Sequence, residues 1–125
     1  MSHDIVADAL NNVMNAKRAR KNLVVVNHSS KVLFGVLEIA RDEGYIENFK
    51  IDKNDVEISF GKNLNMCKAI KPRHNVSIKR IEFYVRRYLP ARNLGVVIVS
   101  TNKGLMTHQK AEEKKLGGTL IAYFY

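Results

Sequence analysis

The 125-residue chain has no tryptophan, two prolines and a single cysteine. With Cys67 alone, neither a disulfide framework nor a multi-cysteine zinc site can be built. The longest apolar stretches, residues 23–26, 95–99 and 120–125, fall far short of a membrane span. No basic segment followed by an apolar run opens the chain, so no secretory signal is visible and a reducing cytosol is the expected setting. Repeats and low-complexity tracts are absent. The histidines, His3, His28, His74 and His108, lack ligand spacing, so no metal is expected. Glu112 and Glu113 are neighbours on an expected helix and diverge, and Gly104, Gly117 and Gly118 do not make a phosphate fingerprint. A Cys67–His74 nucleophile pair would lack an orienting third group, and a small apolar residue packed in a sheet is the better account of Cys67. No catalytic site and no cofactor are expected.

Acid is the other scarcity, and it is local. Residues 1–62 hold nine basic and nine acidic residues, whereas residues 63–125 hold twelve basic and three acidic and so carry the whole net charge of +9. Within residues 68–92, Lys68, Lys71, Arg73, Lys79, Arg80, Arg86, Arg87 and Arg92 face one acid, Glu82. A second acid-free block comprises Lys17, Arg18, Arg20, Lys21 and Lys31. A solvated basic face explains most charge runs, but an excess of +7 over 25 residues favours a polyanionic partner, with nucleic acid ahead of a membrane surface.

Hydrophobic residues make up 46% of the chain and charged residues 26%, an ordinary globular balance with enough apolar side chain for a core. Apolar positions recur at helical spacing over residues 4–16, with Ser2 or Asp4 available as N-cap. Leu23-Val24-Val25-Val26 fits a short buried strand, and Asn27-His28-Ser29-Ser30 supplies turn and cap chemistry. A second helical stripe, Val32 to Ala40, stops at Gly44. The period then changes to two around Asp52-Lys53-Asn54-Asp55, which predicts a hairpin. Gly61, Lys62 and Asn63 form the expected junction. Beyond it, Leu64, Met66 and Ile70 suggest one strand, Val76 and Ile78 another, and residues 80–88 a short helix ended by Leu89-Pro90. Residues 95–101 read as an apolar strand closed by a tight turn at Asn102-Lys103-Gly104. Thr107 caps a helix over residues 108–115 with Gly117 as its C′ stop, and residues 119–125 form a last strand. The expected fold is α+β in two small packed subdomains: residues 1–62 as α-β-α-β-β, and residues 63–125 as a basic, β-rich RNA-binding part with one or two short helices.

The stretch from Ser100 to His108 carries the clearest chemistry. Hydroxyl, amide and ammonium donors on Ser100, Thr101, Asn102 and Lys103 suit ribose hydroxyls and base edges in a wide RNA minor groove. Gly104 permits close backbone approach, and Thr107 with His108 opens a helix toward phosphate. A capped turn with no partner is the plain alternative. Lys71, Arg73, Arg86 and Arg87 are expected to attract phosphate irrespective of sequence. Tyr84 and Tyr88 sit among Arg80, Arg86 and Arg87; both suit half-buried anchors, with Tyr88 the better candidate for stacking on a base.

Val99-Ser100-Thr101, Gly104-Leu105-Met106-Thr107 and Ala111 together resemble the signature of the universal small-subunit ribosomal protein eight family. The resemblance runs along nearly the whole chain. Asp4, Ala7-Asp8, Leu10 and Asn15-Ala16 look like that family's first helix, Ser30-Lys31 its first strand-to-helix loop, and Gly44-Tyr45-Ile46 the segment after its second helix. Ala69-Ile70-Lys71-Pro72-Arg73, Tyr88-Leu89-Pro90-Ala91-Arg92 and Leu116-Gly117-Gly118 with Tyr123 look like the archaeal and eukaryotic branch. The resemblance implies a non-enzymatic constituent of the cytoplasmic small ribosomal subunit that binds the central domain of its RNA and helps organise assembly beside neighbouring ribosomal proteins. On matching positions, Ser100, Thr101, Gly104 and Thr107 would form the main RNA-binding loop, with Asn102, Lys103 and His108 alongside and Ser30 and Lys31 as a secondary contact. The free chain is expected to be a monomer. Some bacterial members also bind their own messenger RNA, which leaves that RNA open as a second partner. Bacterial members usually carry Ser in place of Asn102 and Glu in place of Thr119, and archaeal relatives an acidic pair near His108-Gln109-Lys110.

Three rival readings start from the charge. An RNA-processing enzyme would use His74 and His108, and a DNA-binding architectural module would not distinguish sugars. A peripheral membrane binder would need a helix joining a basic face to a large exposed apolar one, and none is evident.

Overall fold

The computed structural model describes residues 5–27, 30–71, 75–91 and 94–125. The expected caps at Ser2 and Asp4, the turn residues His28 and Ser29, and Arg73, His74 and Arg92 lie outside the described residues. The architecture is mixed α+β, divided into two compact units, Met1–Lys68 and Ala69–Tyr125. Gly61, Lys62 and Asn63 belong to the first unit, and the division falls inside a strand, Cys67–Ala69.

In the first unit, α1 (Ile5–Arg18), β1 (Leu23–Val26), α2 (Lys31–Asp42), β2 (Ile46–Asp52) and β3 (Asp55–Phe60) follow in the expected order. The three strands form an antiparallel sheet, β1-β3-β2. On β3 the alternation is clean, with Val56, Ile58 and Phe60 buried, and Leu10, Leu33 and Leu37 of the helices' apolar stripes are buried as well. The Ser30 hydroxyl caps α2 by accepting from the Leu33 N–H at 3.1 Å. One expectation fails here. The apolar run of β1 is an edge strand covered on one face, so Leu23 and Val25 stand 42% and 51% exposed opposite Ser59 and Glu57.

The second unit continues from β4 (Cys67–Ala69) through β5 (Asn75–Val76), a 3-10 turn (Ile78–Arg80), α3 (Ile81–Tyr88), β6 (Val96–Thr101), β7 (Gly104–Thr107), α4 (His108–Glu113) and β8 (Gly118–Phe124). The sheet order is β4-β8-β6-β7, with β5 also on β8. Val97, Val99, Met106 and Leu120 pack with Ile81 and Leu89 around α3 and with Ala111 of α4. Several details depart from expectation. Leu64, Ile70 and Cys67 are buried as expected, but Met66 lies before β4 and is only half-buried. Ile78 starts the 3-10 turn instead of prolonging a strand, because the chain must swing into α3 immediately. β7 is an additional strand between the tight turn and the cap. α4 ends through Lys115 at φ 56, not through Gly117. Gly117 instead lies beneath the Val76 carbonyl, where a Cβ would come within 2.6 Å.

Gly118 serves the same end on β6. A Cβ there would meet the Ser100 carbonyl oxygen at 2.2 Å, so only glycine lets β8 run this close beneath Ser100. Gly118→Ala therefore has to push backbone apart, and we expect a loss of about 1–3 kcal/mol. Urea melts should show a lowered midpoint at unchanged slope; a midpoint equal to that of the parent chain would contradict this account.

Candidate nucleic-acid interface

The β6–β7 hairpin closes through Asn102 and Lys103, with Thr101 paired to Gly104. Gly104 sits at φ +109, a conformation that a side chain would strain, and this permits the sharp return. The Thr101 hydroxyl belongs to the turn itself. It donates to the Gly104 carbonyl at 2.9 Å and accepts from the Lys103 N–H at 3.1 Å. The loop is thus braced from within. Asn102, Lys103 and Gly104 are exposed, and Ser100 and Thr101 are half-buried.

Strand pairing widens this surface. Asn75 pairs with Thr119, and Thr119 with Ser100, so three small polar residues stand in one row across β5, β8 and β6. The Thr119 hydroxyl donates to the Asn75 side-chain oxygen. Asn75 was not among the residues expected from sequence. Its place beside Ser100 arises from pairing with a strand more than forty residues away, and no local pattern signals that.

Thr107 and His108 stand at the other end of β7, and both are buried. The Thr107 hydroxyl accepts from the Lys110 N–H at 3.2 Å and caps α4, as its position predicts. The His108 ring accepts the Val97 N–H at Nδ1, 3.1 Å away, which leaves the proton of the neutral ring on Nε2. His108 therefore serves the sheet.

The basic residues divide by environment. Lys71 is exposed, and Arg73 lies outside the described residues. On α3, Arg86 holds Glu82 at 3.2 Å in an exposed pair, and Arg87 lies 6.0 Å over the Tyr84 ring. Tyr88 stacks on Tyr123 at 5.3 Å, and Tyr123 on Tyr125 at 6.2 Å, so Tyr88 joins a ladder of three rings. In the first unit, Ser30 caps α2 and the exposed Lys31 begins it.

The sequence pattern of a family described as Ribosomal protein S8 matches residues 4–125. The chain belongs to the ribosomal protein S8 family. It is 40% identical over its whole length to the small ribosomal subunit protein uS8 of Nanoarchaeum equitans, which it covers completely. It is 39% identical to the uS8 protein of Archaeoglobus fulgidus, again with both chains fully covered. Against uS8A of Schizosaccharomyces pombe the identity is 38%, over 97% of this chain and 96% of that one. These S8 relatives are of the archaeal and eukaryotic type, the branch that the sequence resembles.

S8-family proteins are structural ribosomal proteins and not enzymes. The chemistry of this S8 chain accords with that. Burial pushes the Cys67 thiol up to about 12, and its sulfur lies 3.8 Å from the Leu10 carbonyl, so it is no nucleophile. Among the described residues no cluster of three or more His, Cys, Asp or Glu side chains could hold a metal ion. No helix among them is long and apolar enough to cross a membrane.

Burial also lowers the His108 pKa below its ordinary 6.5. As the pH falls below 6.5, the unfolded chain takes up a proton that the folded chain refuses, so stability is full above that pH and declines beneath it. The slope this one group can add approaches about 1.4 kcal/mol per pH unit. His108→Gln keeps an acceptor for the Val97 N–H but cannot titrate. Urea melts between about pH 7 and pH 5 should show a shallower decline for the variant; parallel curves would remove His108 as the cause.

Proposed function

We propose that this S8 chain binds the central domain of small-subunit ribosomal RNA directly and helps organise its assembly, with residues 63–125 making most of the contact. The observation that carries this reading is the braced β6–β7 hairpin. A loop whose own hydroxyl holds its shape presents donors and acceptors without a large ordering cost on binding. Ser100, Asn102 and Lys103 offer these groups to ribose hydroxyls and base edges, and the row through Thr119 to Asn75 continues the surface. Lys71, Arg73, Arg86 and Arg87 supply attraction to phosphate, Tyr88 is a further contact, and Ser30 with Lys31 a secondary one. Thr107 and His108 act one step back, by fixing where β7 turns into α4. The setting is the cytoplasmic small subunit, among neighbouring ribosomal proteins.

The test is a binding series over salt with a central-domain fragment, a length-matched random RNA and duplex DNA. With about five phosphate contacts, the slope of log affinity against log salt is expected near −3.5 to −4.5. The fragment should keep its advantage at high salt. Ser100→Ala combined with Thr101→Ala should cost on the order of tenfold on the fragment and little on random RNA. Arg86→Ala should weaken all ligands alike. Equal losses on fragment and random RNA for the loop variant would refute a reading role for the hairpin.

A further inference from the structure

Helix α3 and the turn before it carry a largely exposed stripe, with Arg80, Phe83 and Arg87 exposed and Tyr84 packed against the core. Arg80, Phe83, Tyr84 and Arg87 recur at helical spacing. Phe83 is 52% exposed, with its ring edge-on to Tyr84 at 5.3 Å. The Arg80 guanidinium lies 5.1 Å from the Phe83 centroid and 5.9 Å from that of Tyr84, and the Arg87 guanidinium lies 6.0 Å from Tyr84. Among the described residues no carboxylate bridges to Arg80 or Arg87, and Glu82, the one acid of the helix, is already held by Arg86.

An arginine stacked on a ring keeps its in-plane N–H donors free, whereas a carboxylate partner would occupy them and cancel the charge. The stripe therefore combines two exposed cations, to which no carboxylate among the described residues bridges, with the half-exposed ring of Phe83. Arg80 and Arg87 are seven residues apart, about 10 Å along the axis, which admits one nucleotide between them. A flat base covers the ring and its phosphates meet the guanidiniums, a match that an apolar or acidic peptide makes only by half.

We propose that this stripe is a second RNA contact, which takes an unpaired nucleotide with its base on Phe83 and its flanking phosphates at Arg80 and Arg87. The proposal rests on the reading that the chain binds RNA, but it uses a different surface and no structured fragment. Tyr88 is not the stacking ring in this account, because its neighbour is already Tyr123.

The probe is a single-stranded RNA dodecamer with 2-aminopurine at its centre, titrated into the full chain and followed by fluorescence. Binding to the parent chain should quench the probe, as stacking does. Phe83→Ala should lose the quench and on the order of tenfold in affinity, and Phe83→Tyr should retain both. Arg80→Ala with Arg87→Ala should flatten the salt slope by about 1.4. Unchanged affinity in Phe83→Ala, or no quench with the parent chain, would overturn the proposal. Loss of preference for the central-domain fragment with Phe83 dependence intact would overturn the hairpin reading instead.

Discussion

Strand β6 is buried over Val96, Val97, Ile98 and Val99, so its backbone groups have little access to water and need protein partners. Strand β7 serves them only as far as the pairing of Ile98 with Thr107, where the chain leaves the sheet for α4. The next N–H, that of Val97, would be orphaned. The His108 ring accepts it, while Thr107, one residue earlier, caps the new helix. These two adjacent side chains settle where the strand stops and the helix begins, and the length of the β6–β7 hairpin follows from that. An orphaned buried donor costs more than a typical hydrogen bond contributes, which is why a histidine can be kept inside an otherwise apolar wall.

From that fixed point the polar end of the unit is assembled by close approach rather than by bulk. Gly118 brings β8 beneath Ser100, and register carries the row from Ser100 through Thr119 to Asn75. Thr101 turns its hydroxyl into the loop, and Gly104 accepts the backbone angle that the turn demands. Side chains left over at the tip are small or flexible and polar. Such a surface is shaped before any ligand arrives, in contrast to the charged side chains of α3, whose effect extends through solvent and depends on salt.

Much of this was legible in the sequence. The stripes of α1 and α2, the β2–β3 hairpin and the capping Thr107 are local signals, and each carries its own physics over four to twelve residues. What escaped needs information from distant chain. Leu105 and Met106 make too short a run, between a turn and a cap, to announce β7. Leu-Val-Val-Val reads as buried wherever it lies, and only the edge position of β1 exposes Leu23 and Val25. Met66 and Cys67 are apolar neighbours, and the hydrophobic pattern alone cannot tell that Cys67 is buried and Met66 only half-buried. In the candidate site, Ser100 to Gly104 could be picked out from residue types. The inward use of the Thr101 hydroxyl, the burial of His108 and the company of Asn75 are products of tertiary pairing.

The position of β8 has a bearing on how the chain is made. It pairs with β4, β5 and β6, three of the other four strands in its sheet, yet it follows all of them in the chain and so leaves a translating ribosome after them. Strands β1, β2 and β3 pair with one another, within sixty residues, so their sheet is free to form during synthesis. The second sheet has no such freedom: its central ladder waits for residues 118–124, and until they emerge the apolar flank of β6 is uncovered. Order of appearance thus imposes an order of folding, with the polar hairpin and its surroundings completed after the first sheet.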